Sequence, residues 1–297
     1  MRMNEIPGGL HGAYPYENVR TALGSYRLRA AMDNAEYVCF GRGVLLEGNR
    51  TLDLRTRAAG ALLLAGPDAV LVGSTAAVLH GCTAVGGHPV HVRVPYLRRV
   101  RSRDGLVVHQ GPVAEPDVEL LDGLRVLRPE PLLAEVLRTE SRRGALACAD
   151  ELLRGLPEPD RPAFRAEVVR AIAEHADQRS VRRARYLFNL ATGLPETPAQ
   201  SALLLIVVDA GIPAPVSQHP VTDAHGRRHR LDFAWPERRI AIECEADDGW
   251  PIRDPARDAH LRLHGWMLLH VRTADLLEPA VLGDRIKDAF ARRHAAA

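Results

Sequence analysis

Lysine is almost missing from this chain: of 39 cationic residues only Lys287 is a lysine, and the other 38 are arginines. The bias fits a GC-rich genome, and it leaves a cationic surface built from planar forks that pair with phosphate bidentately. Cysteine is scarce too. Cys39, Cys82, Cys148 and Cys244 lie far apart with no CxxC pair, which excludes a disulfide framework and suits a reducing compartment. No apolar run approaches the roughly 20 residues of a membrane-spanning helix, and the N-terminus has no signal-peptide pattern. Internal repeats and long low-complexity tracts are absent as well. The expectation is a cytoplasmic protein, nucleoid-associated if it holds DNA, with no membrane partner.

What is present is enough chain for two or three cored domains and an uneven charge. Residues 1–110 hold 13 Arg against 8 acids, a net of +5, while the remainder is at −3. Near the C-terminus two acidic strands stand out, Arg230 to Trp235 and Arg239 to Glu245, joined by a turn at Pro236-Glu237-Arg238. Side chains alternate faces along a strand, so Glu243 and Glu245 share one face, while Ile240, Ile242 and Cys244 take the other. Folding the second strand back on the first brings Asp232 to Glu243. Carboxylates converging from adjacent strands suit Mg2+ or Mn2+, since Mg2+ takes hard oxygen ligands at roughly 2.1 Å and keeps waters for phosphate chemistry. The expected site has Asp232 and Glu243 as ligands and Glu245 as third ligand or water-orienting base, all three bringing carboxylate oxygens to within about 4 to 6 Å of a common point. A solvated acidic hairpin is the alternative.

The order of residues from Glu196 to Phe290 resembles the very-short-patch-repair-like branch of the PD-(D/E)XK nuclease superfamily, a domain common in actinobacterial proteins. The match runs through a helix before Gly211-Ile212-Pro213, Gln218 on a strand, Leu231-Asp232-Phe233-Ala234-Trp235-Pro236-Glu237, Glu243, then Asp254 and Arg257 on a helix, Gly265-Trp266 and Val271-Arg272. The resemblance implies Mg2+-dependent cleavage of DNA, with Asp232 and Glu243 as metal ligands and Gln218 beside them. Departures are specific. Gln200 stands where the family has Glu, Ala202 and Leu204 where it has Arg, and Glu245-Ala246 where it has Asp-Gly; the stretch from Asp247 to Pro251 lacks the family's histidine. Glu196, one turn before Gln200, is the candidate substitute.

Residues 1–50 read as a small winged helix: helices over Tyr16–Leu23 and from Ser25, as N-cap, through Met32, then a hairpin about Gly41-Arg42. Arg27 and Arg29 would face DNA, with Arg42 in the wing. The stretch resembles the N-terminal DNA-binding domain of abortive-infection-type antitoxins, and residues 51–155 resemble the α/β domain that follows it, through Gly73-Ser74-Thr75-Ala76-Ala77-Val78-Leu79-His80-Gly81. A helix is expected over Thr51–Leu64, a strand over Ala69–Val72 and a helix over Ser74–His80 capped by Ser or Thr, with His80 in the core or at the helix end. Between strands His88–Val94 and Leu106–His109 runs a loop with Arg98, Arg99, Arg101 and Arg103 and no acid, as suited to DNA phosphates as to water.

Four helices with three-to-four apolar spacing follow, from Leu132, Arg143, Ala163 and Val181, with 156–162 as the clearest linker. His260 and His264, four apart, read as surface histidines. The fold class is α/β: an N-terminal winged helix (1–50), a central α/β domain (51–155), a helical connector (156–195) and a C-terminal restriction-endonuclease-like α/β domain (196–297). Two functions stay open, a metal-dependent DNA endonuclease in repair or defence, and an antitoxin-like regulator or DNA-damage factor whose nuclease-like domain recognises DNA or forms a homodimer.

Overall fold

The computed structural model describes residues 6–222, 226, 228–245 and 255–295. Asp254 and the stretch 246–251 therefore lie outside the described residues. The chain divides into two compact units, residues 1–136 with 164–175, and residues 137–163 with 176–297. Among the described residues no helix is long and apolar enough to cross a membrane.

The first unit opens with β1 (Ala13–Pro15), α1 (Tyr16–Leu23), α2 (Ser25–Asp33), β2 (Tyr37–Gly41) and β3 (Val44–Glu47), the strands ordered β1-β3-β2. Strand, two helices and a hairpin in that order are the winged-helix arrangement expected for this stretch. Gly24, at φ 80°, makes the sharp corner between the helices that a side chain would resist. It also occupies the cap of α2 without any side-chain bond, so Ser25 lies inside the helix and is not its cap. Val19, Leu28, Ala31, Tyr37 and Leu45 form the core of this layer. Next comes α3 (Leu54–Ala65), three residues later than expected, because Asp53 rather than Thr51 caps it, accepting from the Arg55 N–H at 3.1 Å. Its small residues Ala58, Ala59, Gly60 and Ala61 are buried and let it approach β1 and β3 closely.

A five-stranded sheet follows in the order β6-β5-β4-β8-β7, from β4 (Val70–Leu71), β5 (Val90–Val94), β6 (Leu106–Gln110), β7 (Val118–Leu121) and β8 (Leu124–Leu127). Helix α4 (Gly73–Leu79) sits between β4 and β5 in the chain. It starts at Gly73, so Ser74 and Thr75 fill its first turn and neither caps it. The Thr75 hydroxyl instead accepts from the His91 N–H at 2.8 Å, and the imidazole Nε2 of His80 lies 2.8 Å from the carbonyl of Leu127. Helices α5 (Pro129–Thr139), α6 (Arg142–Gly155), α7 (Arg161–Ala173) and α8 (Gln178–Leu190) succeed one another.

In the second unit α9 (Pro198–Asp209) precedes a mixed sheet ordered β12-β11-β10-β9, formed by β9 (Val216–Thr222), β10 (Arg228–Trp235), β11 (Ile240–Glu245) and β12 (Met267–Arg272). Helix α10 (Pro255–Leu263) connects β11 to its parallel neighbour β12, and α11 (Pro279–Ala295) closes the chain. Phe233, Trp235, Ile240, Ile242 and Val271 pack with Leu203, Val207 and Ile286 on one face, while Leu231, Ala234 and Ala241 meet Leu261 of α10 on the other. Helix α9 is apolar nearly all round because it is enclosed, with residues 200–207 buried. At its start lies Asp150 of α6, fully buried, accepting from the Thr192 and Gly193 N–H groups at 2.9 Å each and from the Ser201 hydroxyl at 2.7 Å.

Candidate functional site

The hairpin of β10 and β11 is laddered only as far as Phe233 opposite Ile242. Beyond that pair the carboxylate of Asp232 takes the place of a backbone partner, its Oδ2 accepting from the Cys244 N–H at 2.8 Å. A side chain inserted into the ladder holds the two strands to one register and sets Asp232 and Glu243 at the mouth of the opening. Burial pushes the Asp232 carboxyl above its ordinary range, and the charge of Glu196 adds to the shift, against the Cys244 amide and a hydrogen bond from Gln200. Gln200 is thus bifunctional: it reaches Asp232, and its Oε1 accepts from the Glu196 N–H at 2.6 Å. On the other side of β10, Gln218 falls opposite Asp232, between the pairs His219–Leu231 and Ser217–Phe233. Its φ of 53° is unusual for a residue with a side chain, and its buried Nε2 has no hydrogen-bond partner among the described residues.

Alternation on β11 places Glu243 and Glu245 on the face of Ala241, toward α10, as expected from the strand pattern. Glu243 accepts from Arg257 Nη2 at 2.5 Å, both side chains being largely buried. Its carboxyl is nevertheless pushed up to about 7: burial is the main cause, Asp232 adds to it, and Arg257 opposes it. Glu245 turns to His270 of β12, whose Nδ1 lies 2.9 Å from Oε1; the other ring nitrogen lies 3.0 Å from Oδ2 of the buried Asp258. Among the described residues Asp232, Glu243 and Glu245 do not form a group whose ligand oxygens all lie within 4.8 Å of one another. Parallel pairing of Glu243 with His270 brings an imidazole to the acidic face, beside Glu245. Neither His270 nor Asp258 was foreseen as part of the site. The signal was Leu268-x-His270 on β12, where alternation directs a histidine to the acidic face. Burial also raises the Cys244 thiol to about 12, so it stays protonated and is no nucleophile.

Two half-buried carboxylates held above their ordinary range, one backed by a single arginine, form an oxygen donor set short of positive charge. That set fits a hard divalent cation. The rings of His260 and His264 lie tilted at 43° with centroids 4.0 Å apart, and the Nδ1 of His264 is taken up at 2.9 Å from the His260 carbonyl, as surface histidines would be.

In the first unit Leu28 is buried while Arg27 and Arg29 project to solvent on α2. Arg42 is exposed in the β2–β3 turn, and Arg99 and Arg101 are exposed in the loop after β5. None of these five makes an ion pair among the described residues, whereas Arg20, Arg50, Arg55 and Arg93 all pair with acids. Arg98 lies 3.6 Å from Asp68, and Arg103 sits 5.4 Å from the ring centroid of Phe40, tying the loop to the hairpin.

Residues 68–190 match the AbiEi antitoxin C-terminal domain. Two relatives from Mycobacterium tuberculosis, the uncharacterized protein Rv2248 of strain H37Rv and the uncharacterized protein MT2308 of strain CDC 1551, are each 33% identical over 240 residues, covering 79% of this chain and 86% of theirs. The chain belongs to the AbiEi antitoxin C-terminal domain family. The crystal structure of the Rv2827c protein from the same organism aligns at a TM-score of 0.41 and 17% identity, over 71% of this chain and 83% of that one. The AbiEi segment runs from the start of the five-stranded sheet through α8. Within its sheet His91 and His109 stack with ring nitrogens 3.0 Å apart, beside the 2.7 Å pair of Arg93 and Glu135. Burial lowers both histidines, keeping them neutral near pH 7.

Proposed function

We propose that this AbiEi-type protein binds duplex DNA through its first unit and carries, in its second, a metal-dependent phosphodiesterase site at Asp232 and Glu243. The observation that carries the reading is the end of the β10–β11 ladder at Phe233 and Ile242, beyond which two half-buried carboxylates lie close enough for the charge of Asp232 to raise the Glu243 carboxyl. Asp232 and Glu243 would hold Mg2+ or Mn2+, which when bound lowers the pKa of a ligand water and neutralises charge on the phosphate. The chain's own groups do the rest. The Cys244 amide and Gln200 fix the Asp232 carboxylate in one orientation. Gln218, whose Nε2 has no partner among the described residues, would offer a donor to a phosphate oxygen. Arg257, held against Glu243, supplies positive charge as that carboxylate loses its proton. Glu245 and Asp258 lie one at each ring nitrogen of His270 and would orient it beside Glu243. In the first unit Arg27, Arg29 and Arg42, with Arg98, Arg99 and Arg101 in the loop, contact phosphates.

Supercoiled plasmid incubated with the purified protein should be nicked with Mg2+ or Mn2+ and left intact with EDTA, and Asp232→Asn should abolish nicking while DNA binding persists. A second reading is favoured by the Glu243–Arg257 pair and by Gln200 in place of an acid: a regulator whose nuclease-like domain recognises DNA without cutting it. Wild-type protein that binds DNA and leaves supercoiled, linear, mismatched and single-stranded substrates intact with either metal selects that reading.

A further inference from the structure

The loop after β5 begins with a closed turn, the Arg98 N–H donating to the Pro95 carbonyl at 2.9 Å. Its two central residues are Tyr96 and Leu97, 69% and 95% exposed. Turn tips in water favour Gly, Asn, Asp and Ser, whereas this one presents two large apolar side chains and is followed by Arg98, Arg99 and Arg101 without an acid. A single exposed leucine needs no explanation. Here the apolar pair is also held in place from behind. Ser102 Oγ accepts from the Val108 N–H at 2.9 Å, Arg103 bridges to Leu106, and the Arg103 guanidinium lies on Phe40, whose ring is backed by Gly60 of α3. The loop is thereby fixed to the wing hairpin that carries Arg42.

We propose that Tyr96 and Leu97 form a wedge that enters the minor groove of duplex DNA and opens a base step, with Arg99 and Arg101 on the flanking phosphates. Apolar side chains inserted between base pairs by proteins with adjacent arginines unstack a step and bend the duplex, and flexible pyrimidine–purine steps open most readily. Two apolar side chains match one such step. They fall short of the apolar face by which a segment lies in a lipid surface, although the charge would suit an anionic one. The inference rests on the first unit binding DNA, and is independent of cleavage.

The test uses the full chain, in EDTA, with a short duplex bearing 2-aminopurine at a central TpA step and a distal dye that reports binding. Unstacking raises 2-aminopurine fluorescence. Wild-type protein should raise it at least twofold at saturation. Tyr96→Ser/Leu97→Ser should bind within tenfold of wild type and lose most of the rise, its fold checked by circular dichroism. Arg99→Gln/Arg101→Gln should bind more weakly, with a log–log salt slope reduced by about 1.8, and keep the rise once saturated. The wedge is overturned by binding without a rise, by a rise unchanged in the Tyr96/Leu97 variant, or by wild-type uptake onto phosphatidylglycerol vesicles that the same variant loses while DNA shows no rise. Failure of wild type to bind DNA at any salt concentration overturns the DNA reading of the first unit together with the wedge; binding without a rise overturns the wedge alone.

Discussion

Glu243 is where burial and charge are most closely opposed. Its carboxyl titrates near 7 in the folded chain against an ordinary value of 4.5. Between those values the folded state holds a proton that the unfolded state has released, so this group's contribution is complete below about 4.5 and is lost as pH rises through 7. With EDTA present, Glu243→Gln should therefore stabilise the protein at pH 8 by about 1–3 kcal/mol and change little at pH 4.5. Denaturant melts at the two pH values check this; a variant less stable than wild type at pH 8 would show that the Arg257 pair outweighs burial. Asp232 is held differently, since its Oδ2 closes the strand opening through the Cys244 amide. Asp232→Asn retains an oxygen for that bond, which makes it the cleaner probe of metal binding.

Among the elements, α9 depends most on one distant side chain. Asp150 satisfies two backbone amides at 192–193 and the Ser201 hydroxyl from a fully buried position, and burial raises its own carboxyl. Asp150→Ala should cost about 2–4 kcal/mol by leaving those donors unmet, measured as a lower urea midpoint. A midpoint within experimental error of wild type would mean that water replaces the carboxylate. Elements with strong local signals were legible in the sequence: the paired acidic strands, the faces of Glu243 and Glu245, and the α1–α2 corner at Gly24. Elements fixed by distant partners were not. The β7–β8 hairpin escaped despite its Asp122-Gly123 turn, because its strands are only 4 residues each. Asp150 looked like any helix acid, since its three partners lie at least 42 residues away. His270 and Asp258 joined the site only through the parallel register of β11 with β12, which no local pattern fixes.

Across the whole molecule, DNA holding and phosphate chemistry are proposed to lie in different units, so their losses should separate. Neutralising Arg27 and Arg29 together should weaken DNA binding and flatten its log–log salt slope by about 1.8, two phosphate contacts being lost, without altering metal binding in the second unit. Filter binding at several salt concentrations measures it, and an unchanged slope would remove α2 from the DNA surface. The claim on which the rest depends is that Asp232 and Glu243 together hold a divalent ion. Calorimetric titration of Mn2+ into the full chain at pH 8, where Glu243 has released its proton, tests it without reliance on any DNA substrate. One binding event is expected in wild type, lost in both Asp232→Asn and Glu243→Gln and retained in Arg27→Gln/Arg29→Gln; no heat in wild type, or the same heat in the Asp232 variant, would contradict that claim.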